Sequence, residues 1–301
     1  MISETLRKEL TRQHYKIVGG HSAVKLCTWL KKSIRGEGAC YKQRWYGIES
    51  HRCLQMTPWL GCDNKCIFCW RIIEKSPLKF GKIDEPKAIV DGCVDAQASL
   101  INGYPGWEGT DMRKWKEANR PNQAAISLTG EPTLYPKLSG LIEEFHNRKM
   151  TTFLVTNGQH PEVLESMTEP TQLYISVDAP DKPTLRKLDR PGHHDYWERL
   201  NRSLDAMNSM GRCRKVIRLT MVKGHNMENA KGYAKLIEKA SPDFIESRGF
   251  VHVGEAQKRL PREAMPLFDD VKSFSEKISE LTGYRIKDCF SPSRVFLLSK
   301  T

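Results

Sequence analysis

Six of the nine cysteines in this 301-residue chain lie between Cys27 and Cys69, and their spacing points to metal chemistry. Cys62, Cys66 and Cys69 form CxxxCxxC, three thiolates within eight residues. A four-iron cube held by three thiolates keeps one iron free of protein ligands, and that position can bind a substrate or cofactor. Zinc is the alternative. Structural zinc sites usually close four ligands at CxxC-type spacing, which x3 then x2, with the aromatic Phe68 before the last cysteine, fits poorly. Upstream, Cys27, Cys40 and Cys53 are separated by 12 residues each, a regularity that could support a second three-thiolate site. From spacing alone, three core cysteines are the ordinary reading, since free cysteine is commonly buried. Cys53 lies nine positions before Cys62, on a strand leading into the first cysteine loop, so a second site would face the same cavity. The odd count and the clustering speak against a disulfide framework and for thiolate ligands in a reducing compartment.

The elements that must position these residues read as alternating strands and helices, the pattern of βα units on a parallel sheet. Expected strands are 51–56, 124–128, 152–155, 173–177, 216–222 and 250–253. Helical periodicity fills the gaps: Ile89, Val90, Cys93 and Val94 with Leu100 and Ile101 on a helix beginning near Asp84, then Leu138, Leu141, Ile142 and Phe145, then Leu200, Leu204 and Met207. Six units predict an α/β fold, a partial (β/α)6 TIM-like barrel. Right-handed crossovers place the loops after the strands on one rim, where barrel enzymes build their sites. The expected organisation is an N-terminal extension 1–52, a core 53–254 and a C-terminal extension 255–301 that ends in a strand pair around Ser291-Pro292-Ser293.

The chain has 48 Lys plus Arg against 36 Asp plus Glu, a formal charge of +12 that favours an anionic partner such as nucleic acid. Residues 1–60 hold 11 basic and 4 acidic side chains and residues 181–223 hold 11 and 5, so these segments carry +7 and +6. A solvated basic surface is the plainer explanation of such charge. No apolar run is long enough to span a bilayer and the N-terminus lacks a signal-peptide core, which predicts a soluble, cytoplasmic protein with no membrane partner.

The run CYKQRWYGIESHRCLQMTPWLGCDNKCIFCWR, from Cys40 to Arg71, resembles the archaeal and eukaryotic tRNA 4-demethylwyosine synthases, radical S-adenosylmethionine enzymes of wyosine and wybutosine biosynthesis. The likeness continues through SLTGEPTLYP (127–136), FLVTNGQHP (153–161), LYISVDAP (173–180), LDRP (188–191) and RLTMVKG (218–224), and so covers most of the chain. The eukaryotic members carry an N-terminal flavodoxin-like domain that is not found in these 301 residues, which implies the shorter archaeal form and an external electron donor.

The resemblance implies a radical SAM barrel with two 4Fe-4S clusters, one on Cys62, Cys66 and Cys69 that binds S-adenosyl-L-methionine, and one on Cys27, Cys40 and Cys53. It implies that Lys42, in the CYK motif, forms a Schiff base with pyruvate, which requires a lysine that is neutral part of the time. Phe68 and the turn Thr129, Gly130 and Glu131 would contact the cofactor, the turn holding the methionine ammonium group. Asn157, Ser176 and Asp178 would contact its adenosyl ribose and carboxylate. Asp178 is equally readable as a turn or helix cap, and His252 is a weaker candidate. Arg186, Lys187, Arg190, Arg212, Arg214 and Lys215 are candidate tRNA-phosphate contacts, with Trp45, Trp70 or Trp107 as stacking surfaces for an unstacked base. The reaction implied is conversion of N1-methylguanosine, 3′ of the anticodon of tRNA-Phe, to 4-demethylwyosine with pyruvate as two-carbon donor. Two other classes are a radical enzyme with a different substrate, which leaves Lys42 and the basic segments unexplained, and a zinc-dependent RNA-binding protein, which leaves the polar strand ends unexplained.

Overall fold

The computed structural model describes residues 2–72 and 81–300, which fall into two compact units. One is built from Met1–Gly61, Lys75–Leu154 and Thr168–Thr171, the other from Cys62–Glu74, Val155–Met167 and Gln172–Thr301.

In the first unit a helix, Glu4–Arg12, is capped by Ser3, whose Oγ accepts from Leu6 N at 3.2 Å. Strands β1 (Lys16–Val18) and β2 (Ser22–Val24) form an antiparallel hairpin. Its turn needs glycine: Gly19 has φ +56°, and a Cβ there would lie 2.1 Å from the Asp84 carboxylate, which accepts from Gly20 N at 2.7 Å. Asp84 therefore pins this turn, and the helix expected to begin near it starts at Pro86 and runs to Ile101. Strand β2 pairs antiparallel with β3 (Cys53–Thr57), and β3, β4 (Gln123–Ile126) and β5 (Thr151–Thr156) run parallel. The helices Pro86–Ile101 and Leu138–Asn147 turn Ile89, Val90, Leu141, Ile142 and Phe145 inward, and these side chains are buried with Leu54, Met56 and Leu154 of the strands. Each such side chain contributes about 1.5–3 kcal/mol as an upper estimate.

In the second unit β6 (Gln172–Ser176), β7 (Arg214–Met221) and β8 (Phe244–Gly249) run parallel. The tail forms the expected antiparallel pair, β9 (Arg285–Phe290) and β10 (Val295–Ser299), and β10 also pairs antiparallel with β8. The helices Ala230–Ala240 and Phe268–Thr282 meet through an edge-on ring contact between Tyr233 and Phe274, with centroids 5.5 Å apart.

The first five expected strands are present to within a few residues, but the sixth lies elsewhere. Residues 250–253 are loop, and the sixth parallel strand is Phe244–Gly249. Glu246 interrupts its apolar character, yet Glu246 is fully buried and accepts from Tyr174 OH at 3.1 Å. A buried carboxylate with a partner is tolerated where a periodicity argument expects none.

Candidate active site

In the first unit each interval between the upstream cysteines opens on a short helix, and the second also holds a 3-10 turn at Ser50–Arg52. Cys27 precedes the helix Thr28–Ile34, Cys40 precedes the helix Tyr41–Tyr46, and Cys53 opens β3. Both cap cysteines have extended backbone and neither thiol makes a capping hydrogen bond. Cys40 is fixed instead through its backbone, its N donating to Ser50 Oγ at 2.9 Å, while Ser50 N donates to Gln43 Oε1 at 3.0 Å. Burial, then the neighbouring Cys27 and Cys40, push the Cys53 thiol far up from its ordinary range, and Lys42 opposes them. The three thiols and the lysine therefore share one local field. Lys42 Nζ also stands over the Phe153 ring, 5.4 Å from its centroid.

The turn after β4 is held in the same unit. Thr57 Oγ1 donates to the carbonyls of Trp59 (2.8 Å) and Thr129 (2.5 Å), and Glu131 N donates to Gly61 O at 2.7 Å. Gly130 has φ +69°, and a Cβ there would fall 2.1 Å from Trp59 O and 2.6 Å from Gly61 O. Glu131 is buried, and its Oε1 accepts from Thr133 N (3.1 Å) and Oγ1 (2.7 Å).

In the second unit the loop carrying Cys62, Cys66 and Cys69 runs against the end of the helix Lys182–Asp189. Lys65 N donates to Asp189 O and Ile67 N to Leu188 O, both at 2.9 Å. Arg259 closes the loop from the tail: its guanidinium donates to the carbonyls of Ile67 (3.2 Å) and Cys69. Phe68 packs, partly buried, on the apolar cluster of Ile67, Leu188, Val222, Phe250, Ala256, Leu260 and Ala264. Burial, then Asp189, Cys69 and Cys62, raise the Cys66 thiol well above its usual value. Asp189 is itself buried, its Oδ1 has no hydrogen-bond partner, and burial with the nearby Asp178 holds its carboxyl up.

Both triplets consist of free cysteines whose thiols act on one another, soft donor sets that suit an iron-sulfur group. At the ends of β5 and β6, Asn157 donates to Asp63 Oδ1 at 2.8 Å with its amide nitrogen 3.9 Å from Cys62 Sγ, and Ser176 Oγ accepts from Arg218 at 3.0 Å. Asp178 Oδ1 accepts from Thr220 N at 3.0 Å, a backbone tie to β7, and burial raises its carboxyl. His252 Nε2 is 2.8 Å from Leu260 O, within the tail segment.

The six basic candidates divide into two groups. Arg186, Lys187 and Arg190 are exposed at the end of the helix whose carbonyls hold the Cys66 loop. Arg212, Arg214 and Lys215 stand at the start of β7, the opposite end of that strand from Thr220 and Met221. Of the tryptophans, Trp107 is 54% exposed and stacks on Arg35 at 3.5 Å. Asp63, His160, His193, Asp189 and Arg259 belong to the Cys62–Cys69 loop or bond to it, and none was among the residues expected from the sequence. Asp189 lies inside the LDRP run, whereas nothing in the local sequence marks Arg259.

The sequence profile of the Radical SAM superfamily matches residues 56–237, and the profile described as wyosine base formation matches residues 239–300. The S-adenosyl-L-methionine-dependent tRNA 4-demethylwyosine synthase of Pyrococcus abyssi is 48% identical over 96% of this chain and 86% of its own length. That of Arabidopsis thaliana is 45% identical over 93% of this chain but only 43% of its own. Among solved structures, TYW1 with a lysine-pyruvate adduct bound superposes with TM-score 0.91 at 39% identity, covering 100% of this chain and 97% of that one. A crystal structure of archaeal TYW1 gives 0.83 at 36% identity with the same coverage.

Proposed function

Because the chain belongs to the S-adenosyl-L-methionine-dependent tRNA 4-demethylwyosine synthase family and is a radical SAM enzyme with that α/β barrel fold, we propose that it converts N1-methylguanosine, 3′ of the anticodon of tRNA-Phe, to 4-demethylwyosine with pyruvate as two-carbon donor. The observation that carries the pyruvate half is Lys42, set in the field of Cys53 and against the Phe153 ring. The lysine-pyruvate adduct of TYW1 supports the same reading.

In this reading Cys62, Cys66 and Cys69 hold a 4Fe-4S cluster, and Cys27, Cys40 and Cys53 hold a second. The first, with S-adenosyl-L-methionine bound, supplies one-electron chemistry able to take a hydrogen atom from the N1-methyl carbon. Lys42 Nζ attacks the pyruvate carbonyl carbon in its neutral form and expels water, which places the two-carbon unit at a fixed point. Glu131, anchored by Thr133, with Thr129 and Gly130 receives the methionine ammonium group. Asn157, Ser176 and Asp178 face the adenosyl part, and Phe68 shields the cysteine loop from water. Arg186, Lys187, Arg190, Arg212, Arg214 and Lys215 contact tRNA phosphates. Functionally, 1–52 brings Lys42 with Cys27 and Cys40 of the upstream triplet, 53–254 is the core and opens on its third cysteine, Cys53, and 255–301 is an added tail.

The test is Lys42→Arg, because arginine cannot shed its charge at useful pH. The variant should keep iron content and tRNA affinity and lose product. Borohydride with labelled pyruvate should trap an adduct on the wild-type peptide containing Lys42. Retained turnover with no adduct would remove Lys42 from the chemistry.

A further inference from the structure

Outside the cysteine triplets, the second unit contains a compact group with the ligand set and outer partners of a mononuclear cation site. Asp63, directly after Cys62, presents Oδ2 to two imidazoles, with His160 Nε2 at 2.9 Å and His193 Nε2 at 3.0 Å. The three side chains come from separate stretches that the backbone ties together. Gly192 N donates to Asp63 O at 2.9 Å, and Asn64 forms an antiparallel bridge with Pro191. The two rings stand edge-on, centroids 5.5 Å apart at 82°.

Two features separate this group from an ordinary Asp–His pair. One carboxylate oxygen is shared by two ring nitrogens, and the three ligand atoms all lie within 4.8 Å of one another. Metal–nitrogen and metal–oxygen bonds of about 2.0–2.1 Å put tetrahedral ligands about 3.3 Å apart, so small outward movements would accommodate an ion. Each buried ligand also has an outer partner. Asn157 donates to Asp63 Oδ1 at 2.8 Å, and Glu162 Oε1 lies 3.5 Å from His160 Nδ1. The Asn157 amide fixes the direction in which Asp63 presents its carboxylate.

We propose that Asp63, His160 and His193 bind one divalent cation of the zinc class, at a site distinct from both cysteine triplets. Two imidazoles and one carboxylate suit a borderline ion better than magnesium or calcium, which prefer all-oxygen sites. The Asp63 and His160 side chains are 11% exposed and that of His193 is 31% exposed, so the open side of the site faces His193 and leaves room for water as a fourth ligand. The ion would cross-link the residue following Cys62 to the segments around His160 and His193, and Asn157 would act there as a positioning residue for Asp63.

The test uses the holoenzyme with its iron sites loaded, titrated anaerobically with zinc chloride against a chromophoric chelator and then examined by zinc X-ray absorption. The expected result is about one tightly held zinc per chain, with nitrogen and oxygen neighbours near about 2.0 Å, imidazole scattering, no sulfur near about 2.3 Å, and unchanged iron content. His193→Ala leaves the Asp63–His160 contact in place and should weaken zinc binding at least tenfold, as should His160→Ala. No retained zinc, sulfur in its shell, or undiminished binding by a folded His193→Ala variant with full iron content would each overturn the assignment.

Discussion

Arg259, from the tail, donates to the carbonyl of Cys69, the last cysteine of the CxxxCxxC loop, and to that of Ile67 two residues earlier. Beside it, Glu255 N donates to Trp70 O at 3.0 Å. The segment described by the wyosine base formation profile, residues 239–300, therefore shapes the loop of the radical SAM segment from within the same unit. Arg259→Ala leaves both carbonyls short of a charged donor, and hydrogen bonds to charged groups are worth about 1.5–3 kcal/mol. Denaturant unfolding of the iron-loaded protein should show a loss of that size, with lower iron retention. Arg259→Lys should recover only part of it, since one ammonium cannot reproduce a planar fork. Equal stability of parent and Arg259→Ala would show that the clasp is dispensable.

Replacing Cys62, Cys66 and Cys69 together with Ala should abolish reductive cleavage of S-adenosyl-L-methionine while the upstream site keeps its iron. Iron content should fall from about eight to about four per chain. Chromatography of 5′-deoxyadenosine checks the first outcome and a colorimetric iron assay the second. Product above background from the triple variant would place the radical chemistry on other ligands.

The CxxxCxxC run was legible because thiolate spacing is a local property, and the Radical SAM profile over residues 56–237 spans it. Cys27, Cys40 and Cys53 each stand at the start of an element, but the helices after the first two are seven and six residues long, so their even spacing also depends on the loops between. The sixth strand was not legible. Phe250, Val251 and Val253 form an apolar run, yet Val253 is 45% exposed, while Glu246 in the true strand is fully buried against Tyr174. That reversal depends on a partner 72 positions away. Asp63, His160 and His193 are likewise separated by up to 130 positions, and only folding reveals that they converge.

Binding of tRNA should weaken steeply with salt, since each phosphate contact releases condensed counterions. Arg186, Lys187 and Arg190 stand beside the cysteine loop, whereas Arg212, Arg214 and Lys215 stand at the start of β7. Changing either trio to Ala should lower the slope of log affinity against log salt by about one unit for each phosphate that is no longer neutralised. Binding measured between low and moderate salt separates the trios, and a trio whose removal leaves the slope unchanged does not touch phosphate.

Gly130 ties the turn after β4 to the segment leading into Cys62 through its conformation. Its φ of +69° costs an alanine of order 1 kcal/mol in backbone strain alone. An added Cβ would also meet three backbone atoms, Trp59 O at 2.1 Å, Gly61 O at 2.6 Å and the Leu60 carbonyl carbon at 2.9 Å. No rotamer change relieves a clash with backbone, so either the turn or residues 59–61 must move. Moving them breaks the bond from Glu131 N to Gly61 O, 2.7 Å long, and the shared anchoring by Thr57 Oγ1. Gly130→Ala should therefore cost about 2–4 kcal/mol, the sum of strain and one or two broken hydrogen bonds. Gly224→Ala is the control, because Gly224 shares a positive φ of +76° but has nothing within 4 Å of an added Cβ. It should show only the strain. If thermal and denaturant unfolding show equal destabilisation for the two variants, the close approach at Gly130 contributes nothing beyond its dihedral angle. If Gly130→Ala alone also weakens S-adenosyl-L-methionine binding, measured by equilibrium dialysis on iron-loaded protein, the turn positions the cofactor as well as the fold.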